Sequence, residues 1–282
     1  MTRSVVLLGG PDSGKTNYVG RVWPALDAKK GRLLAAHQPT DITFVLEVTD
    51  HLNSGNFAPR SEHADARRDF EVMVAEKGGD ETSIVIPDIS GELWLGAVKN
   101  SEISTDWMEE LRGADGALLF VRVGSDQDVR PLDWVTSRKM LTKFGAEEDP
   151  GLPTQVMLCE LIRFLEVSLA DRPNGERPRV SVVVSAWDLV DPGVFAEGPQ
   201  AYLEHEYPLF AGRLGDVDRL DVRVFGLSVV GGDLKTDVEC RDAVQEGGLE
   251  GRGWVAAQDA AGNWVKDEDL TLPIAWVIGM KI

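Results

Sequence analysis

Cysteine, histidine and positive charge are all scarce in this chain. There are two cysteines in 282 residues, Cys159 and Cys240. They lie far apart and match no metal-ligand spacing, which excludes a disulfide framework and a cysteine-rich zinc module. The four histidines, His37, His51, His63 and His205, form no ligand pattern either. Lysine and arginine total 29 against 47 aspartates and glutamates, a net charge of −18. Such a surface repels the phosphates of nucleic acids and of anionic membranes, and leaves proteins as the expected macromolecular partners. No apolar run approaches the ~20 residues of a membrane span. The first apolar strand begins within four residues of Met1, leaving no room for a signal peptide. With few thiols, these features predict a cytoplasmic protein.

The composition is otherwise that of an ordinary globular chain, 43% hydrophobic and 27% charged. Apolar strand-like runs alternate with amphipathic stretches along its whole length. Strands are predicted at 4–9, in "RDFEVMVA", "TSIVIPD", "GALLFVRV", "RVSVVVSAWD" and "DVRVFGLS". Helices are predicted at 16–26, from Thr40 or Asp41 to Leu52, in "DWMEELRGA", at 154–170 and at 200–213. The glycine-rich stretch 246–263 reads as a long loop or hairpin, and Trp254 and Trp264 pair across a hairpin, mark a partner surface or, as packing favours, lie in the core. "DLTLPIAWVIGMK" reads as a final helix or extended segment broken near Pro273. Strand and helix in alternation predict an α/β fold with a mostly parallel sheet covered on both faces. No low-complexity linker divides the chain and no internal repeat is visible. The expectation is therefore one domain over 1–282, with a helical insertion at about 32–60 and a loop-and-helix insertion at about 124–175.

Three stretches carry chemistry. The first is "VVLLGGPDSGKTNYVG", in which Gly9, Gly14, Lys15 and Thr16 fit G-x-x-x-x-G-K-[ST] between a strand and a helix. In that context backbone N–H groups cradle a β-phosphate and the lysine reaches the β- and γ-phosphates. The Thr16 hydroxyl faces Mg²⁺, and the helix adds its positive end. Pro11 has no N–H and must sit where none is needed. The second stretch is "IVIPDISGELW". Asp88 ends an apolar strand, where a carboxylate can hold a Mg²⁺-bound water. Gly91, three residues on, can offer its N–H to a γ-phosphate. Alone, D-x-x-G is also an ordinary strand end and turn; its weight comes from following a phosphate loop.

The third stretch is "SVVVSAWDLV". Guanine-binding chains end this strand in [NT]-K-x-D, whose aspartate accepts from guanine N1 and the exocyclic amine. Adenine lacks that pair of donors and leaves the carboxylate unpaired. Asp188 stands in the aspartate position and Ser185 in the small polar one. Ala186 replaces the lysine whose stem normally covers the base, and whether Trp187 compensates is open. A strand-end cap is the plain alternative for Asp188. "FGLSVV" places Ser228, within 227–229, as a candidate for the edge of the base.

At these motifs the sequence resembles the Ras-like P-loop GTPases. More narrowly, "GGPDSGKT", the helical insertion before the second strand, "PDISGELW", "SAWDLV" and "LPIAW" resemble the bacterial double-GTPase family. That resemblance implies the three-layer P-loop fold with one antiparallel strand, "RDFEVMVA", beside the strand of Asp88. It implies binding of GTP and GDP with Mg²⁺, a switch that hydrolyses GTP, and a place in bacterial conflict systems. It also implies a protein partner, a second GTPase or a GTPase-associated protein. A first switch is expected between Lys29 and Ser61. Ser61 in "FAPRSE" is the candidate Mg²⁺ ligand, with Thr40 its rival, and Arg60 beside it is a candidate to reach the transferring phosphoryl group. Two departures qualify this. Glu92 follows Gly91 where a glutamine usually orients water, so its charge opposes the γ-phosphate and slow turnover is expected. Ala186 makes guanine affinity uncertain. Three other readings stay open: a nucleotide-binding scaffold with little hydrolysis, an ATPase, and a small-molecule kinase that would leave "SAWD" unexplained.

Overall fold

A computed structural model describes residues 2–59, 68–76, 79, 81–88, 91–130, 151–172 and 174–282. Its centre is β1, Thr2–Leu8, in which Val5, Val6, Leu7 and Leu8 are all fully buried. A strand with no wet face must be covered on both sides, and this one is. Val6 and Leu8 point into one core with the helices α3, Gly91–Asn100, α4, Thr105–Gly113, and α5, Thr154–Ser168. Val5 and Leu7 point into the other with α1, Lys15–Asp27, and α9, Leu272–Val277. The two-residue side-chain period of a strand makes this division.

The described strands form one nine-stranded sheet in the order β2-β3-β4-β1-β5-β6-β7-β8-β9. These are β2, Leu33–Ala35; β3, Arg68–Glu76; β4, Glu81–Asp88; β5, Gly116–Arg122; β6, Arg179–Ser185; β7, Asp221–Ser228; β8, Trp254–Gln258; and β9, Trp264–Asp267. The five central strands β4, β1, β5, β6 and β7 are parallel. β3 runs antiparallel to β4 and buries Phe70, Val72 and Val74 while Asp69 and Glu71 stay exposed. The sheet is larger than the motifs implied. β8 is a second reversed strand, antiparallel to β7, so the expectation of a single antiparallel strand is corrected.

Other differences have local causes. The segment 200–213 is not one helix. α6, Pro192–Glu206, ends at Tyr207 because Pro208 opens α7, Pro208–Gly215. Trp254 and Trp264 do not pair. In the β8–β9 register Trp264 faces Gln258, while Trp254 packs edge-on against Phe195. Pro273 does not break α9. It sits in the first turn, where its missing N–H is not needed, and its carbonyl accepts from Ser181 Oγ at 3.0 Å. α2, Thr43–Asn53, packs on α1, and α8, Val238–Gly247, follows the loop after β7. No helix among the described residues is long and apolar enough to cross a membrane.

Parallel central strands bring their carboxyl ends to one edge, where ligands of such sheets bind. Leu8, Asp88, Arg122, Ser185 and Ser228 end β1, β4, β5, β6 and β7 there.

Candidate functional site

The loop between β1 and α1 is wound into left-handed conformations at three positions. Gly9 has φ 144°, Asp12 60° and Gly14 91°. Gly14 directly precedes α1 and contributes no side-chain cap. The first-turn N–H groups of α1 therefore face the loop's mouth, the arrangement that attracts an anion. Lys15 is folded into this loop and only 6% exposed. Its ammonium donates to Gly9 O at 2.9 Å, Gly10 O at 3.1 Å and Ser13 Oγ at 3.2 Å. Thr16 is half-buried in the first turn of α1.

Two neighbouring strands fasten the loop from outside. Ser185 Oγ, at the end of β6, donates to Ser13 O at 2.7 Å. Arg122, at the end of β5, donates through Nη1 to Asp12 Oδ1 at 3.0 Å and Asp12 O at 3.3 Å. A third contact is backbone on backbone. Gly91, the first residue of α3, lies so close to Gly10 and Pro11 that a Cβ would come within 2.4 Å of both. The second motif is thus held against the first, and only glycine permits that approach.

Asp88 closes β4 at the same edge, its Cα opposite that of Arg68. Glu92 is exposed in the first turn of α3, where a negative charge suits the helix end. Arg60 and Ser61 lie outside the described residues. The chain leading to them does not: Ala58 N–H donates to Asn17 Oδ1 at 2.9 Å, next to Thr16 on α1. Thr40 is exposed on the bend between β2 and α2.

At the base end, β6 and β7 place Ser185 opposite Leu227, which brings Asp188 to Ser228. The Ser228 hydroxyl is fully buried and accepts from Gly231 N–H at 2.9 Å, and it favours the ionised form of the nearby Asp188 carboxylate. Burial raises Asp188 above the ordinary carboxylate range and Asp233 nearby adds to this, while Ser228 and Arg122 oppose it. Burial also works against the charge of Asp233, but the Thr236 hydroxyl, the Lys235 N–H and Arg122 outweigh it and hold that carboxyl below its usual range. The loop after Ser228 is fixed from α1. Arg21 Nε donates to Val229 O at 2.8 Å, and burial pulls this guanidinium down to about 10.

Trp187 does not cover a base. It is wholly buried, edge-on to Tyr202, and fills the space that Gly226 leaves on β7. Ala186 takes a left-handed φ of 54° so that Trp187 can turn inward and Asp188 stay at the rim. Sequence reading missed Arg122, Asp233 and Asn17. Arg122 carried a signal, since a charge ending the otherwise apolar "ALLFVR" stands where parallel strands meet their ligands.

The donors here are hard oxygens and fit Mg²⁺: the Thr16 hydroxyl on α1 and the strand end carrying Asp88. The buried lysine, the uncapped helix start and the wound loop fit a polyphosphate. None of the curated proteins matches the chain. Among solved structures it is similar to the Arl6 BBS3 small GTPase from Trypanosoma brucei with bound nucleotide analogue GppNp. The identity is 13%, over 87% of this chain and 96% of that one, with a TM-score of 0.41. The model of the family described as Double-GTPase 1 matches residues 6–277. That span takes in the phosphate loop, the D-x-x-G segment and the base loop together, and the chain belongs to the double-GTPase 1 family.

Proposed function

We propose that this protein binds GTP and GDP with Mg²⁺, hydrolyses GTP slowly, and acts as a switch read by a protein partner. The observation that carries this reading is the bond from Ser185 to Ser13. The strand that delivers Asp188 is fastened to the loop that carries Lys15, so one edge of the sheet serves both ends of a nucleotide.

In this reading the loop N–H groups and Lys15 hold the phosphates, and Asp188, backed by Ser228, accepts from guanine. Thr16, Asp88 and a first-switch hydroxyl would hold Mg²⁺, which would supply positive charge to offset that of the phosphates. Ser61 is the better candidate for that hydroxyl. Ala58 is pinned beside Thr16 on α1, whereas Thr40 stands on an exposed bend. Arg60 would enter from the same segment. Gly91 carries the switch, because a γ-phosphate at the loop changes what its backbone touches and moves the start of α3. Glu92 orients the attacking water, and its charge keeps turnover slow. The acidic surface suits a protein partner, a second GTPase or a GTPase-associated protein, in a cytoplasmic conflict system.

Titration of the purified protein with GTP, GDP, ATP and a non-hydrolysable GTP analogue in Mg²⁺, followed by single-turnover hydrolysis, tests this. Guanine nucleotides should bind at least ~10-fold more tightly than ATP. Lys15→Ala should abolish binding of both guanine nucleotides with an unchanged circular-dichroism spectrum. Equal binding of ATP sinks the guanine reading. Tight GTP binding without turnover favours a scaffold, the second reading, to which the exposed charge of Glu92 lends support.

A further inference from the structure

Ala186 leaves the loop after β6 without a long side chain, yet a cation ends the neighbouring strand. Arg122 ends β5, which lies in the sheet between β1, carrying the phosphate loop, and β6, carrying Asp188. Its side chain is 17% exposed and that of its partner Asp12 19%, so the pair is sheltered from the screening that makes most surface ion pairs worth little. The guanidinium grips Asp12 twice, at the carboxylate and at the backbone carbonyl. Its charge also reaches Asp188 and Asp233, favouring the ionised form of each. Its Nε is buried with no hydrogen-bond partner among the described residues, which leaves one donor of the fork for a further acceptor. Without this cation, Asp12, Asp188 and Asp233 would leave three carboxylates uncompensated at an edge that must receive a polyanion. A planar fork suits the task because it donates in several directions from one fixed position.

We propose that Arg122 is a positioning residue that couples phosphate binding to base recognition: bonded to the phosphate loop at Asp12, and with its Cα opposite Ser185 of the adjoining strand, three residues before Asp188, it holds the base-accepting carboxylate ready and in register with the loop. This rests on the proposed guanine-nucleotide site. It differs from a merely structural brace in a measurable way. A brace steadies the loop for any nucleoside diphosphate, whereas Arg122 acting through Asp188 sets the preference for guanine over adenine.

The test uses the full chain with GDP and ADP, each titrated in Mg²⁺ by calorimetry. Arg122→Gln keeps a planar polar end and removes the charge. It should weaken GDP binding by roughly 10- to 100-fold and shrink the GDP-to-ADP affinity ratio by about 10-fold or more, on the scale of one charged hydrogen bond. Arg122→Lys keeps the charge and should hold the ratio within about 3-fold of the unsubstituted chain. Asp12→Gly suits the positive φ at that position, loosens the same guanidinium without touching β5, and should also lower the ratio. It decides the matter if Arg122→Gln does not fold. Equal loss of GDP and ADP affinity, or a ratio unchanged in Asp12→Gly, overturns the inference and leaves the guanine site standing. No GDP binding by the unsubstituted chain overturns both.

Discussion

Gly91 and Gly10 meet backbone to backbone: a Cβ on Gly91 would stand 2.4 Å from the Gly10 carbonyl carbon and 2.4 Å from Pro11 N. Nothing there is the flexible end of a side chain, so Gly91→Ala must push the start of α3 off the loop or distort the loop. Overpacking of this kind costs ~1–3 kcal/mol. In a nucleotide switch the contact matters most with the triphosphate. The expected outcome is a drop of at least ~10-fold in affinity for a non-hydrolysable GTP analogue and a smaller drop for GDP. Parallel titrations check it, and equal losses would make Gly91 a packing residue only.

A second close approach sets the base loop. A Cβ on Gly226 would fall 2.5 Å from Trp187 Cδ1 and 2.6 Å from Cγ. Trp187 is wholly buried, so it has nowhere to retreat. Gly226→Ala should lower the stability by ~1–3 kcal/mol in urea denaturation. Displacing Trp187 also displaces its neighbour Asp188, so the surviving folded protein should discriminate guanine from adenine less well. A stable variant with undiminished preference would show that Asp188 does not depend on the seat of Trp187.

Local motifs made the site legible before the fold. The loop around Lys15 announces itself by an apolar run that stops at paired glycines, and the strands ending at Asp88 and Ser185 by apolar runs that stop at a polar residue. What sequence could not give was the partner of each tip. Ser185 bonds to Ser13 172 residues away, and Arg122 to Asp12 110 residues away. Such pairings follow from strand order, which no periodicity records. Helix α3 was missed because its first residue, Gly91, closes the D-x-x-G pattern, which reads as a strand end and turn. β8 and β9 were blurred because glycines flank short strands on the sheet's rim. Whether Trp187 covers a base was open in the sequence; it is core, because its seat is set by Gly226 on the next strand.

Glu92 tests whether the water-orienting position limits turnover. It is exposed at the start of α3, beside the contact of Gly91 with the loop. Glu92→Gln keeps a hydrogen-bond acceptor and removes a charge that opposes the γ-phosphate. Single-turnover hydrolysis should rise by up to about 10-fold, equivalent to ~1.4 kcal/mol of barrier. A collapse of the rate would instead mark Glu92 as the general base, and an unchanged rate would place it outside the reaction.

Asp188→Asn should trade stability against recognition. Burial raises the Asp188 carboxyl above its ordinary value. The protonated form is therefore the one the fold favours. Its contribution is full below the unfolded value and is lost as pH rises through the folded one. At pH 7 the ionised carboxylate costs stability that an uncharged Asn does not. Without nucleotide, the variant should melt slightly higher than the unsubstituted chain at pH 7, and the gap should narrow as the pH falls and Asp188 itself takes up its proton. Recognition runs the other way. In the proposed site an ionised Asp188 would accept from guanine N1 and the exocyclic amine; losing one such bond to a buried carboxylate costs on the order of 1–3 kcal/mol, roughly 10- to 100-fold in affinity. Asn offers one acceptor and one donor, which match xanthine, with its N1–H and 2-oxo group. The variant should lose its GTP preference and gain xanthosine triphosphate, while the unsubstituted chain should lose GTP affinity on acidification at a higher pH than an ordinary carboxylate would cause. Differential scanning calorimetry across pH and titrations with the three triphosphates check both halves. A variant that keeps its guanine preference would reduce Asp188 to a strand-end cap, and equal binding of ATP and GTP by the unsubstituted chain would move the ATPase reading ahead.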